Sequence, residues 1–344
     1  MRKKITLEDY LKKRQRERTQ PSAFDFCEAY SSIKKYLEKH VYNSEELGAA
    51  LRNDGLLTNH GKKHVEDVIH HIELLLQYDF SKLNLHETFV LLLAALIHDV
   101  GNISGRTEHE KKIAAVINGC DDYKRLDTTV KVTTISIAQA HGGRTKDGDK
   151  DTLSRVERET GLGGETISAR SIAALVRLAD ELADNSERAN DDMERLGQIP
   201  ELNLIYHKYS KCLQHVTMEG VSLKFRYSMT IELALTKFKK EEQGEVREKY
   251  LYDEILDRLR KASCEMAYCV RHGGGLFHYE DMVVAIDICS NEESEVLMTI
   301  PLRFKTAGYP RFDYDIREER ETSEELSTGE KLASNLRETF PEQC

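Results

Sequence analysis

The chain has no tryptophan, and its seven cysteines (Cys27, Cys120, Cys212, Cys264, Cys269, Cys289 and Cys344) contain no Cys-x-x-Cys pair. With no close pairing, neither a zinc ribbon nor a disulfide framework is indicated, and a reducing compartment, the cytoplasm, is expected. Positive charge is in short supply as well: 50 Lys and Arg against 60 Asp and Glu leave a net charge of -10. That balance argues against strong nucleic-acid binding but leaves room for a local basic pocket that takes a small anion. The basic start, MRKKITLEDYLKKRQRERTQ, lacks an apolar segment of the secretory kind, and no run is expected to reach the length of a membrane span. No membrane partner is therefore expected. What is present, 40% hydrophobic and 32% charged residues over 344 positions, suits a soluble globular protein rich in helix formers, with material for one large or two modest domains.

The most informative stretch is LLLAALIHDVGNISGRTEHE, residues 91 to 110. Leu91 to Ile97 reads as a buried helix, with His98 and Asp99 at its end and Gly101 and Asn102 positioned to stop it. An imidazole and a carboxylate at the rim of an apolar helix are costly to desolvate unless something pairs with them. The same conflict recurs elsewhere. In LLTNHGKKHVEDVIHHIELLLQY the stripe Val65, Val68, Ile69, Ile72 and Leu76 predicts a helix with His64 in its first turn and His60 in the preceding loop. His70 and His71 are adjacent on that helix and read as rim residues. His109 opens HEKKIAAVI, and TTVKVTTISIAQAH, read as a helix, ends in His141 before Gly142 and Gly143. A charged, glycine-containing loop from Arg144 to about Gly164 reads as a lid or a surface excursion. After it, ETISARSIAALVRLADELAD is strongly amphipathic, yet Asp180 falls inside its apolar stretch.

His64, His98, Asp99 and Asp180 thus form a mixed nitrogen and oxygen set suited to a divalent ion, and His109 and His141 supply enough donors for a second ion that shares Asp99. The ordered pattern resembles the HD-domain metal-dependent phosphohydrolases, whose H…HD…D signature is met by His64, by His98 with Asp99, and by Asp180 in RLADELAD. The resemblance covers about residues 50 to 190. It implies a mainly α protein, an HD-domain helical bundle with inward ligands. It further implies one or two divalent ions, with Mn, Mg, Fe, Ni, Co and Zn not distinguished. His64, His98, Asp99, His109, His141 and Asp180 are then the metal ligands, and Asp99, His109 and His141 the catalytic residues. The chain lacks a GYP motif within the HD core, where His141 is followed by GGRTKDGD, and it lacks the HPPFGH run of many dNTP triphosphohydrolases, although a His-Glu pair stands in the corresponding place.

Basic residues beside this set would meet phosphates: Lys63 next to His64, Arg106 before His109, Arg144 after the glycines, and Arg177 three residues before Asp180, with His60 as a further substrate contact. Four segments are expected: a basic N-terminal arm or short helix at 1–23, the HD helical domain at 24–199, a smaller α+β appendage at 200–310, and an acidic, partly disordered tail at 311–344. In the appendage, VSLKFRYSM and TIELAL read as a hairpin, a helix runs from about Glu245 to His272, and MVVAIDICS and SEVLMTIPLRF read as two more strands. The appendage is either a nucleotide-sensing or oligomerising domain or a buttress for the bundle. The expected activity is hydrolysis of dNTPs to deoxynucleoside and triphosphate, in nucleotide-pool control or antiphage defence. The alternatives are a phosphodiesterase for cyclic or linear dinucleotides and a non-catalytic nucleotide sensor. Expected partners are the nucleotide substrate, a nucleotide effector and further copies of the chain in a homo-oligomer.

Overall fold

The computed structural model describes residues 5–18, 24–42, 61–104, 108–145, 147–184, 194–242, 244–292, 295–305 and 326–344. The protein is mainly α, with a C-terminal α+β part, and divides into two compact units. The first comprises residues 1–48, 59–183 and 268–278, and the second comprises 49–58, 184–267 and 279–344.

The helical unit is built around α4, Leu85–Ile97, every residue of which is buried. Asn84 starts this helix with a reciprocal cap: its side chain accepts from the Glu87 amide while the Glu87 carboxylate accepts from the Asn84 amide. Burying each large aliphatic or aromatic side chain here stabilises the fold by roughly 1.5–3 kcal/mol before chain entropy is charged against it. Around α4 lie α1 (Leu7–Arg16), α2 (Phe26–Leu37), α3 (Lys62–Leu75), α7 (Thr128–Gln139) and α8 (Ala169–Leu182), with α5 (His109–Ile117) packed on α7. A single helical turn, α6 (Asp121–Lys124), joins α5 to α7, and a short hairpin of β1 (Thr160–Leu162) and β2 (Glu165–Ile167) precedes α8. The stretch Leu85–Ser104 has the length and mean hydropathy (1.3) of a membrane span, contrary to the expectation that no run reaches that length. In the fold, 83% of its apolar window is buried by the surrounding protein.

Of the two forms expected of the N-terminal segment, an exposed basic arm or a short helix, the structure shows the helix, and one face of it is buried. Thr6 caps α1 by accepting from the Asp9 amide, and Leu7, Tyr10 and Leu11 are buried, so α1 is part of the helical core. The Leu7 amide donates to Glu73 Oε1 at 2.7 Å and the Tyr10 hydroxyl to the Leu83 carbonyl at 3.2 Å. The basic residues that dominate the sequence there lie on the other face, where a 3.6-residue period puts them.

The second unit holds a four-stranded sheet in the order β3-β4-β7-β8, with β3 (Leu213–Glu219), β4 (Ser222–Thr230), β7 (Asp281–Cys289) and β8 (Val296–Lys305). β4 pairs antiparallel with β3 and parallel with β7, and β7 pairs antiparallel with β8. Leu223, Phe225, Tyr227 and Met229 alternate into the core beside Met282, Val284, Ile286 and Ile288. A parallel pair cannot be joined by a tight turn, and the long connection is supplied by α10 (Ile231–Leu235), the hairpin β5 (Lys237–Glu242) and β6 (Glu245–Tyr250), and α11 (Leu251–His272). The unit also includes α9 (Leu204–Cys212), and the last turn of α11, from Tyr268, belongs to the helical unit.

Two readings change here. Within TIELAL, Thr230 ends β4 and Ile231–Leu235 is the helix α10 and not a strand: Thr230 caps it by accepting from the Leu233 amide, while β7 takes the open edge of β4. Residues Glu245–Tyr250 form a strand paired with Lys237–Glu242, so the long helix begins at Leu251. In the acidic tail, Gly329–Thr339 forms α12 with Leu332, Ala333 and Leu336 buried, and the Gly329 amide donates to Asp253 Oδ1 at 2.8 Å.

Candidate metal centre

Five helices deliver the histidines and carboxylates to one place. Gly61 has extended backbone and lets α3 begin at Lys62, which sets His64 in the first turn. His98 is the C-cap of α4, and Asp99 follows at the entry to a 3₁₀ turn, Val100–Ser104. That turn packs on α5 so closely that a Cβ on Gly101 would run into the His109 carbonyl, which explains the glycine and fixes where His109 starts α5. Glu108, just before it, takes a left-handed φ of 53°, an unfavourable conformation held at the approach to His109. His141 lies just past α7, and Asp180 in the last turn of α8.

The resulting cluster is organised by Asp99. Its Oδ2 lies 3.6 Å from Nε2 of His64 and 3.6 Å from Nε2 of His98, whereas its Oδ1 lies 3.0 Å from Nε2 of His109 and 3.5 Å from Nε2 of His141. Asp180 Oδ1 completes the first group at 3.1 Å from His64 Nε2 and 3.6 Å from His98 Nε2. Within each pair the imidazoles meet nitrogen to nitrogen, at 3.3 Å for His64 and His98 and 3.1 Å for His109 and His141. His98 Nδ1 lies 2.9 Å from the Ala95 carbonyl and His141 Nδ1 2.6 Å from the Ala138 carbonyl. A carbonyl only accepts, so each Nδ1 carries a proton and each neutral ring turns its Nε2 lone pair into the cluster. Opposed lone pairs at such distances need a cation or a proton between them.

The residues fit a metal. Two sets, His64 with His98 and Asp99, and Asp99 with His109 and His141, each present donor atoms within 4.8 Å of one another. Metal–ligand bonds of about 2.0–2.2 Å put neighbouring donors about 3.0–3.5 Å apart, close to the separations found. Protons substitute for that charge in the metal-free cluster. Burial works against a charged His98, but Asp99 and Asp180 outweigh it and raise its pKa to about 9. Burial likewise opposes ionisation of Asp180, and hydrogen bonds from His64 and His98 overcome it and hold the carboxyl well below its ordinary range.

The remaining predicted contacts divide. Arg144 is exposed, donates from Nη1 to the Gly148 carbonyl at 2.8 Å, and lines a groove of about 460 Å³ with Glu110, Gln139, Gly142 and Thr145. The groove reaches the cluster in sequence, since Glu110 follows His109 and Gly142 follows His141. Lys63 is half exposed and paired with Asp67 Oδ1 at 3.0 Å. Arg177 is buried; its Nη1 donates to Thr152 Oγ1 at 2.7 Å and its guanidinium lies over the Tyr268 ring. His60 and Arg106 lie outside the described residues. His71, expected at the rim, is buried: its Nδ1 lies 2.8 Å from the Asp67 carbonyl and burial lowers its pKa to about 4.

Glu110 was not singled out as a site residue, yet it is buried with Oε2 3.4 Å from His109 Nδ1, where it can orient that ring. The adjacent His-Glu pair in the sequence was its signal. Thr152 and Tyr268 gave none, because their roles depend on contacts made far along the chain.

A family model described as HD-CE matches residues 54–261, a span that includes all six candidate ligands. No curated protein matches the chain.

Proposed function

The chain belongs to the HD-CE family and carries an HD-type domain, and on that premise we propose that it is a metal-dependent phosphohydrolase of nucleotides, acting as a dNTP triphosphohydrolase. The observation that carries this reading is the division of the Asp99 carboxylate between two imidazole pairs, one oxygen to each. Divalent ions held there would polarise phosphoryl oxygens and lower the pKa of water so that hydroxide is available near neutral pH.

The chain's own residues do the rest. His64, His98, Asp99 and Asp180 would hold a first ion, and Asp99, His109 and His141 a second. His109 or His141, 3.1 Å apart at Nε2, would protonate the departing oxygen. Arg144 faces the groove and meets the phosphate chain, with Lys63 as a peripheral charge. The preference for a dNTP rests on the His-Glu pair at 109 and 110 and on the absence of a GYP motif after His141. We place the protein in the cytoplasm as a homo-oligomer open to a nucleotide effector, with a role in nucleotide-pool control or antiphage defence.

The test is a product-resolved assay of the full chain with Mn²⁺ and then Mg²⁺ against dNTPs, NTPs and cyclic dinucleotides, with and without a second nucleotide, and with Asp99→Ala as control. Deoxynucleoside plus triphosphate is expected. Linear dinucleotide or monophosphate products would make the protein a phosphodiesterase. Nucleotide binding without turnover of any substrate would make it a sensor.

A further inference from the structure

Arg177 is the basic residue nearest in sequence to a metal ligand on α8, and its surroundings are those of a wedge in the protein wall. Its side chain is buried. Nη1 donates to Thr152 Oγ1 at 2.7 Å and reaches toward the Ala140 carbonyl at 3.5 Å, and the Thr152 hydroxyl donates to that same carbonyl at 2.8 Å. The guanidinium carbon lies 4.8 Å from the centre of the Tyr268 ring. Tyr268 is itself held at its hydroxyl, which accepts from the Leu153 amide at 2.9 Å and donates to Asp151 Oδ1 at 2.7 Å.

The common target of these contacts is the end of α7. The last carbonyls of a helix have no partner within the helix, and Ala140 immediately precedes His141. A guanidinium and a hydroxyl on the Ala140 carbonyl satisfy it and complement the negative end of the helix. That turn in turn fixes the imidazole, because His141 Nδ1 donates to the Ala138 carbonyl at 2.6 Å. A cation stacked on a desolvated aromatic face is held more firmly than one in water, so Arg177 has little freedom to swing toward a substrate.

We infer that Arg177 is a positioning residue for the second metal pair: from the helix that carries Asp180, it clamps the Ala140–His141 turn through Thr152, with Tyr268 as its backing, and so sets the His141 ring in place beside Asp99. This rests on the metal-dependent reading above and extends it, and it replaces the expectation that Arg177 touches phosphate.

The experiment compares full-length wild type with Arg177→Met, Arg177→Lys and Thr152→Val. Mn²⁺ binding is measured by calorimetry, and the imidazole ¹⁵N shifts of His141 are recorded in metal-free protein. Wild type is expected to bind two ions and to show a protonated Nδ1 at His141. Arg177→Met should keep the first ion and weaken the second by about 10–100-fold, the usual consequence of removing a group that orients a ligand. Lysine should recover part of that loss. Thr152→Val removes the link without touching the buried charge, should shift the second ion in the same direction, and stands in if Arg177→Met does not fold. Unchanged affinity for both ions, or equal loss of both, in Arg177→Met and Thr152→Val would overturn the inference. If wild type binds no ion, the metal-dependent reading fails. In that case a His141 tautomer fixed in wild type and scrambled in the variants still supports the clamp, and an unaffected tautomer sinks it.

Discussion

Each unit gathers carboxylates around a buried acid, Asp99 in one and Glu254 in the other, and the two are neutralised by different chemistry. In the second unit Glu254 is buried against three permanent cations: Lys240 Nζ at 2.6 Å, Lys249 Nζ at 3.1 Å and Arg258 Nε at 3.1 Å. Burial alone would raise its pKa, and these charges outweigh it and lower the pKa instead. With Glu242 and Asp257, Glu254 presents enough oxygens in range for an ion, but Lys240 and Lys249 already sit against its carboxylate. In the helical unit Asp99 and Asp180 face imidazoles. A neutral imidazole is a metal ligand, so a divalent ion can displace the proton from these rings where it cannot displace a lysine. Donor distance is therefore a poor guide to a metal centre without the identity of the neutralising groups.

The strongest way to break this contrast is Asp99→Ala. It removes the one carboxylate common to both imidazole pairs, so both ions are expected to be lost and hydrolysis to fall by more than the roughly 10–100-fold that changes behind a ligand produce. Retention of both ions by calorimetry would remove the basis for a shared ligand. The matching change in the other unit is Glu254→Gln, which leaves Lys240, Lys249 and Arg258 facing a neutral amide. Breaking one side of a buried ion pair costs about 3–5 kcal/mol, so a large fall in the denaturation midpoint is expected with metal stoichiometry unchanged. A loss of bound Mn²⁺ in this variant would mean that the acidic cluster of the second unit is a metal site after all.

A subtler test uses pH. In metal-free protein the pKa of His98 is raised to about 9 from its ordinary 6.5. The folded state thus holds this proton more tightly than the unfolded chain does. The stability it contributes is full below about pH 6.5 and is lost as pH rises through about 9. Thermal midpoints with chelator should fall over that window, and saturating Mn²⁺ should abolish the decline, since ions and protons compete for the same nitrogens. A flat profile with chelator would indicate that the imidazoles do not stand in for a cation.

The sequence exposed the cluster because each ligand contradicts its surroundings: His98 and Asp99 end a fully buried helix, His64 opens an apolar stripe, and Asp180 interrupts another. Such conflicts between polarity and burial can be seen one segment at a time. The elements that were misread depend on partners distant in the chain. TIELAL alternates like a strand, but β7, beginning some fifty residues later, takes the edge it would need. The Lys-Glu pattern of Glu245–Tyr250 suits an exposed helix as well as an exposed hairpin, and the pairing with Lys237–Glu242 decides it. The role of Arg177 was invisible for the same reason, since Thr152 and Tyr268 reach it only through the tertiary fold.

The smallest expected effect separates charge near the centre from charge that serves it. Lys63 adjoins the ligand His64 in sequence, but helical geometry turns adjacent side chains about 100° apart, and its ammonium is paired one turn on with Asp67 Oδ1 at 3.0 Å while remaining half exposed. Exposed pairs of this spacing contribute about 0.3–0.5 kcal/mol. Lys63→Ala should therefore shift stability by less than about 1 kcal/mol and leave Mn²⁺ stoichiometry and kcat unchanged, with at most a modest, salt-sensitive rise in KM from weaker attraction of an anionic substrate. A salt-independent fall in kcat would instead put Lys63 on the phosphate itself, at which point adjacency in sequence would have outranked the pairing with Asp67.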